Sequence, residues 1–252
     1  MLALFTLSFA FSADMDREFI FKQGVSAYAA EDFEKAISSF LDLTKDGKVS
    51  WELYYNLGNA YYRNGELGRA IQYWEKAKVL VPNQSDVNYN LAIAEQLLVD
   101  KVVLPDMFPL FRWYAEVQKQ LPLDLAVMLI GLMLVIMLGL IGLTRILQHR
   151  SGKTKKASYI TLFAVFLTLI LTLTLITVNT AQKRKHDKYA IILPEEVSVL
   201  SEPTDDSVVL FILHEGSKVK VNKNIEDSWS NISYFDDKVG WIQSPYIGKI
   251  EE

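Results

Sequence analysis

Two long apolar runs with a short basic stretch between them occupy Leu123–Val178. The first, Leu123–Leu143, reads LDLAVMLIGLMLVIMLGLIGL, and its only ionisable residue is Asp124, at its edge. The second, Ser158–Val178, reads SYITLFAVFLTLILTLTLITV and has none. A helix of about 20 residues, rising about 1.5 Å per residue, crosses a hydrocarbon core of about 30 Å. Both runs reach that length. In lipid a backbone must satisfy its own polar groups, so each run is expected to be a helix. The competing reading is a pair of core helices in a soluble protein, but buried helices are usually shorter and carry some polar residues. The expectation is a transmembrane hairpin, helices 123–143 and 158–178, between a helical module and a strand-rich one.

Subtracting the hairpin leaves about 100 residues before it and about 70 after, enough for two small domains. The net charge of −4 gives no argument for nucleic-acid binding. With no cysteine, the chain has no disulfide framework, thiol nucleophile or Cys-based metal site. The three histidines, His149, His186 and His214, are too scattered in sequence for a His metal cluster, and no cofactor is implied. There is no nucleophile–base pair, phosphate-cradling glycine loop or spaced acid pair, so an enzyme is not expected.

Met1–Ala13 reads MLALFTLSFAFSA: apolar, too short to span, and ending in small residues. That pattern fits a signal peptide over residues 1–13, although Phe11 spoils the A-x-A match and no Lys or Arg precedes Arg17. The alternative is a first helix packing an apolar face.

The module from Asp14 to Lys101 repeats itself. Gly24 lies in FIFKQGVSAYAAEDFEKAISSF and Gly58 in ELYYNLGNAYYRNGELGRAIQYW, 34 residues apart. The second copy carries Tyr54, Leu57, Gly58 and Tyr61, then Ala70 and Trp74, then Pro82. The first keeps Gly24, Ala27, Ala36 and Phe40, with Gln23 and Lys48 at the looser positions. Small residues let paired helices approach, Tyr61 and Trp74 fill the space between them, Gly65 suits the turn, and Pro82 stops a helix. Ser85 is expected to cap a fifth helix, Asp86–Asp100, presenting Tyr89, Leu91, Ile93, Leu97 and Leu98 to the open end of the stack.

These residues resemble the tetratricopeptide repeat. The resemblance implies a concave partner-binding groove on the first helix of each pair, lined by Phe21, Val25 and Tyr28, by Tyr55, Asn59, Tyr62 and Arg63, and by Tyr89. Exposed tyrosines suit capture of a peptide or helix, and packing within the stack is the alternative role for each residue. A two-carboxylate clamp is not supported, since Phe21 and Val25 stand where it needs polar groups. Two repeats fall short of the three or so usually needed for stability, so a partner, the membrane surface or self-association is expected to complete the core.

Residues 102–122 gather Phe108, Phe111, Trp113 and Tyr114 beside Arg112 and Lys119, the mixture found at a membrane interface. A short helix over 110–120 on the headgroups is the expectation; a packed extension of the repeats is the alternative. The loop 144–157 holds Arg145, Arg150, Lys153, Lys155 and Lys156 and no acid, which places it in the cytoplasm. The linker 179–187 and the residue after it supply Lys183, Arg184, Lys185 and Lys188 on the other side, so charge alone does not orient the hairpin. The signal-like start does: it puts both folded modules outside a two-pass cytoplasmic (inner) membrane protein, in the periplasm. Gly131, Gly139 and Gly142, with Thr161, Thr168 and Thr172, are candidates for close packing of the two spans. Neither span has a charge at its centre, so no ion path is expected.

From 188 to 250 short β-branched runs alternate with turns: YAIIL, EVSVL, SVVLFIL and SKVKVN, then Trp229–Tyr234 and Gly240–Ile242. Many short strands at this spacing indicate a small all-β barrel. The order resembles bacterial SH3 domains: Val197–Thr204, Gly216–Val221, Trp229–Tyr234 and Gly240–Tyr246 match successive elements. Members often bind cell-wall peptides or proteins, which makes Trp229, Trp241 and Tyr246 a candidate ligand site, with core packing expected for at least one tryptophan.

The expected fold is thus a multidomain membrane protein: an all-α tetratricopeptide repeat domain, a two-helix transmembrane hairpin and an SH3-like barrel. That order is similar to BatE-type proteins of the aerotolerance (Bat) operons. The resemblance implies a membrane-anchored scaffold in an envelope-stress or aerotolerance complex, partnered by von Willebrand A-domain membrane proteins and a MoxR-type ATPase system. The alternative is a cell-wall-binding envelope sensor that docks peptidoglycan through the barrel.

Overall fold

A helix–turn–helix written twice at a 34-residue interval must place equivalent atoms in equivalent contacts, and it does. The computed structural model describes residues 2–45, 47–101, 123–151, 164–178, 188–225, 228–235 and 238–250. They form two units, one of residues 1–102 with 187–252 and one of residues 103–186. In the first unit α1 (Leu2–Ala29) pairs with α2 (Phe33–Thr44), and α3 (Trp51–Arg63) with α4 (Leu67–Leu80). Helix α1 is continuous through Ala13. A Cβ added to Gly24 would lie 2.5 Å from the Phe40 ring, and one added to Gly58 would lie 2.4 Å from Trp74. The turns match as well. Glu31 and Asp32 donate to the carbonyls of Tyr28 and Ala27, as Gly65 and Glu66 donate to those of Tyr62 and Tyr61. This turn needs a left-handed residue. Gly65 supplies it at φ +87°, and Glu31 is held there at φ +61° against the preference of an L residue. Asp32 and Ser50 cap α2 and α3 by accepting the Lys35 and Leu53 N–H groups, both at 3.2 Å.

The fifth helix departs from expectation. It is α5 (Ser85–Leu97), and Ser85 is its first residue rather than its cap. Its hydroxyl instead faces Asp86 at 3.4 Å. The helix ends early because Leu98 turns extended (φ −63°, ψ 140°), which sends Asp100 out of the helix. The buried face is Val87 and Ala94, with Leu91 and Leu98 packed beside it; Tyr89 is 67% exposed.

The strand-rich module is an antiparallel sheet of seven strands: β1 (Lys188–Ile192), β2 (Glu196–Leu200), β3 (Val209–His214), β4 (Lys218–Ile225), β5 (Trp229–Tyr234), β6 (Lys238–Gln243) and β7 (Ile247–Lys249). They lie in the order β3-β2-β6-β5-β4-β1-β7. A period of two sends Val197 and Val199, then Ser230, Ile232 and Tyr234, to the inner face. The last short strand follows a 3-10 turn, Ser244–Tyr246.

Strand β1 breaks the alternation: Ala190, Ile191 and Ile192 are all buried. Ala190 and Ile192 join the core of the sheet, whereas Ile191, with Ile250, joins the core of the helices. The surface they meet is one face of α4, where Gly68, Ile71, Gln72 and Glu75 recur at helical spacing. Gly68 must lack a side chain, since a Cβ would lie 2.6 Å from the Ile192 carbonyl. Its N–H donates to Glu215 at 2.7 Å, Gln72 donates to the Lys249 carbonyl at 3.0 Å, and Lys218 pairs with Glu75 at 2.9 Å. The chain's own sheet therefore packs over the helical core, a role the sequence had assigned to a partner, the membrane surface or self-association.

In the second unit α6 (Leu123–Ser151) contains an 18-residue window, Leu125–Gly142, of mean hydropathy 2.8, long and apolar enough to cross a membrane. It stays helical through Arg145 and Arg150, so the basic loop expected from Thr144 is in its first half a helix. Of the second run, α7 (Ala164–Val178) is described; it is apolar but shorter. Residues 158–163 of that run, the interfacial stretch 102–122, the rest of the basic loop and the linker 179–187 lie outside the described residues, as does Thr161. Among the described residues, a Cβ on Gly131, Gly139 or Gly142 would meet nothing within 4 Å, so no close packing at these glycines is described. Thr168 and Thr172 instead donate to the Val165 and Leu169 carbonyls of their own helix, at 2.8 and 2.9 Å.

Candidate functional site

On α3 the offsets from Tyr55 to Asn59, Tyr62 and Arg63 return to one helical face. That face lines a pocket of about 300 Å³ together with Tyr28 of α1, Trp74 of α4, and Asn90 and Ile93 of α5. Five of the eight residues expected in the groove converge here. Phe21 does not: it packs on Phe40, ring centroids 5.6 Å apart, and borders a separate depression with Arg17 and Leu43. Val25 and Tyr89 are exposed outside the pocket. The repeat offset itself leads to the missed residues, since Ile93 lies 34 after Asn59 and Asn90 lies 34 after Asn56.

Asn59 organises the floor. Its Oδ1 accepts from the Trp74 indole at 3.0 Å and from Asn90 Nδ2 at 2.9 Å. A ligand would therefore find the Asn59 amide as a donor rather than as a carbonyl acceptor. Tyr62 leans on Trp74 with ring centroids 5.6 Å apart, and Tyr55 on Trp51 at 6.2 Å. At the rim, Arg63 lies 4.9 Å over the Phe33 ring and 3.5 Å from the Glu31 carboxylate. Both ions of that pair are exposed, so it is worth at most about 1 kcal/mol and exchanges readily for an incoming acid. The pocket can thus stack aromatic or aliphatic side chains, donate from Asn59 and attract a carboxylate at Arg63.

On the sheet, Asn231 stands opposite Trp241 and Trp229 opposite Gln243, which sets both tryptophans on one face. It is the outer face: Ser230, Ile232 and Ile242 take the inward positions, so neither tryptophan is a core residue, contrary to expectation. Tyr246 lies on the 3-10 turn, 40% exposed, and no described ring contact joins it to either tryptophan.

Sequence reasoning missed Asp100, which fastens the helical and sheet modules together. Its Oδ2 accepts from the His214 N–H (2.7 Å) and the Ser217 hydroxyl (2.6 Å), and its Oδ1 lies 3.0 Å from His214 Nδ1. Its own carbonyl accepts from the Tyr234 hydroxyl at 3.2 Å. Burial pushes the Asp100 carboxyl up. The hydrogen bonds from Ser217 and His214, with the neighbouring imidazole, outweigh that and hold it below the usual carboxylate range. Ser217 donates to the acid and not to the imidazole, so the trio lacks the nucleophile–base contact of a hydrolase. Among the described residues no group of three His, Cys, Asp or Glu could hold a metal ion.

Residues 21–85, which include both copies of the repeat, match the tetratricopeptide repeat family. Repeats of this family generally serve as non-catalytic scaffolds for protein partners. No curated protein matches the chain.

Proposed function

We propose that this chain is a membrane-anchored scaffold that holds a segment of a partner protein in the groove of its repeats. The observation that carries the reading is the convergence of Tyr28, Tyr55, Asn59, Tyr62 and Arg63 on one pocket. Rigid aromatic faces bury large area at low entropy cost, and an arginine at the rim selects an acidic neighbour. The anchor is the two-helix hairpin, with α6 as its first span. The hairpin is supported by the packing of the sheet on the helices: modules that share a core lie on one side of any membrane, which requires an even number of crossings between them. The signal-like start supports a periplasmic position for both, above a two-pass inner membrane. The order of modules supports, by resemblance, a place in a BatE-type aerotolerance complex with von Willebrand A-domain proteins and a MoxR-type ATPase.

The test is purification of the full chain from native membranes. Tyr55→Ala with Tyr62→Ala is expected to weaken partner retention more than tenfold, since losing a central aromatic contact costs about 2 kcal/mol or more. Helix content and membrane insertion should persist. A double variant that keeps its partner overturns the groove. The outward Trp229 and Trp241 favour a second reading, an SH3-like domain docking peptidoglycan. Sedimentation with purified cell wall that is lost on Trp229→Ala with Trp241→Ala would establish it.

A further inference from the structure

The two ends of the sheet are finished differently. At one end β7 lies against α4, with Gln72 bonded to the Lys249 carbonyl. At the other, among the described strands, β3 pairs with β2 alone. Asp100 takes the His214 N–H on the open side of β3. Residues two apart in an antiparallel ladder turn their N–H and C=O the same way. Ile212 therefore points its backbone pair to that open side, where no hydrogen bond to it is described. The side chains along this edge are apolar: Val208, Val209, Leu210 and Ile212 are 70%, 51%, 49% and 46% exposed. A register shift at Leu200 bends the start of the strand, but residues 207–213 contain neither a charge nor a proline. Open edges are normally blunted by such residues or covered.

We propose that the β3 edge is a self-association surface, on which β3 of a second copy of this chain adds antiparallel across a two-fold axis. Unmade ladder bonds call for a strand rather than a lipid. Glu202, Asp205 and Asp206 beside the patch would also repel an anionic bilayer. The pattern selects a second copy because it is self-complementary under two-fold antiparallel pairing. Centred on Phe211, that pairing sets Leu210 opposite Ile212, the two residues whose backbone pairs face the open side between the register shift at Leu200 and the His214 N–H that Asp100 takes.

The chain has no cysteine, so one can be placed without background. In detergent-solubilised full chain, light scattering is expected to give a concentration-dependent dimer. A short bis-maleimide should bridge two copies of Leu210→Cys but not of Lys223→Cys, an exposed position on β4. Ile212→Lys should weaken the dimer more than tenfold with helix content unchanged, and Val208→Lys replaces it if that variant misfolds. A monomer at every concentration overturns the proposal. So does a dimer that survives both lysines and leaves Leu210→Cys unbridged. A monomer whose Leu210→Cys is shielded from maleimide only in vesicles assigns the edge to lipid and also overturns it.

Discussion

Replacing Asp100 by alanine removes in one step the acceptor of the His214 N–H, of the Ser217 hydroxyl and of the His214 ring. Ser217 is buried and the His214 N–H is partly so. A buried donor left without a partner costs about 1–3 kcal/mol. The imidazole is partly exposed and can turn to water. The expected loss is therefore about 2–4 kcal/mol. Asp100→Asn keeps one acceptor oxygen but points an NH₂ at a donor, and should cost about 1–2 kcal/mol. The pH dependence separates a charge-assisted latch from simple packing. The folded Asp100 carboxyl sits below its unfolded value of about 3.9. Its contribution is thus full above about pH 4 and is lost as pH falls through the folded value. The gap between the parent and Asp100→Asn should close in strong acid. Urea titration of the detergent-solubilised chain, with amide exchange followed in α5 and β3, measures both. An Asp100→Ala chain within about 0.5 kcal/mol of the parent at neutral pH, or a gap to Asp100→Asn unchanged in acid, would refute the reasoning.

Gly58→Ala should cost about 1–3 kcal/mol, because the new Cβ meets the Trp74 indole at 2.4 Å; a thermal melt checks it, and an unchanged midpoint would contradict the crossing geometry. Glu31→Gly should stabilise by about 1 kcal/mol by relieving the left-handed backbone at φ +61°, outweighing the exposed Arg63 pair; a denaturation midpoint that falls would argue otherwise. Ile191→Ala should cost about 2–4 kcal/mol and speed amide exchange in α4 although it lies on a strand; exchange that changes only in the sheet would separate the two cores.

The repeat was legible because its 34-residue interval is a packing rule: Gly24 with Phe40 and Gly58 with Trp74 make the same contact twice. The strands were legible from their period-two runs. The contact between the modules was not, because it joins residues up to 177 apart through hydrogen bonds such as Gln72 to Lys249, which no local pattern announces. One signal was present. The continuous apolar run Ala190-Ile191-Ile192 is what a strand buried on both faces looks like. Asp100 was read as the end of a helix, and only the extended turn at Leu98 frees it. Tyr28, Tyr55, Asn59, Tyr62 and Arg63 meet at one pocket because they recur at repeat and helical spacing. Phe21 departed because its own repeat partner Phe40 claims it. Core packing was expected for at least one of the two tryptophans, whereas strand parity turns both outward.

That Ile191 and Ile250 complete the helical core has a consequence for how the chain is made. The helices leave the ribosome first, and their last partner is encoded 153 residues after α5 ends at Leu97. At about 5–20 residues per second, that is a wait of roughly 8–30 s. Through that interval the α4 face around Gly68 and Ile71 lacks its native cover. The nascent chain therefore passes through a stage that a holding chaperone would recognise, and it leaves that stage only when translation has reached the C-terminal strands.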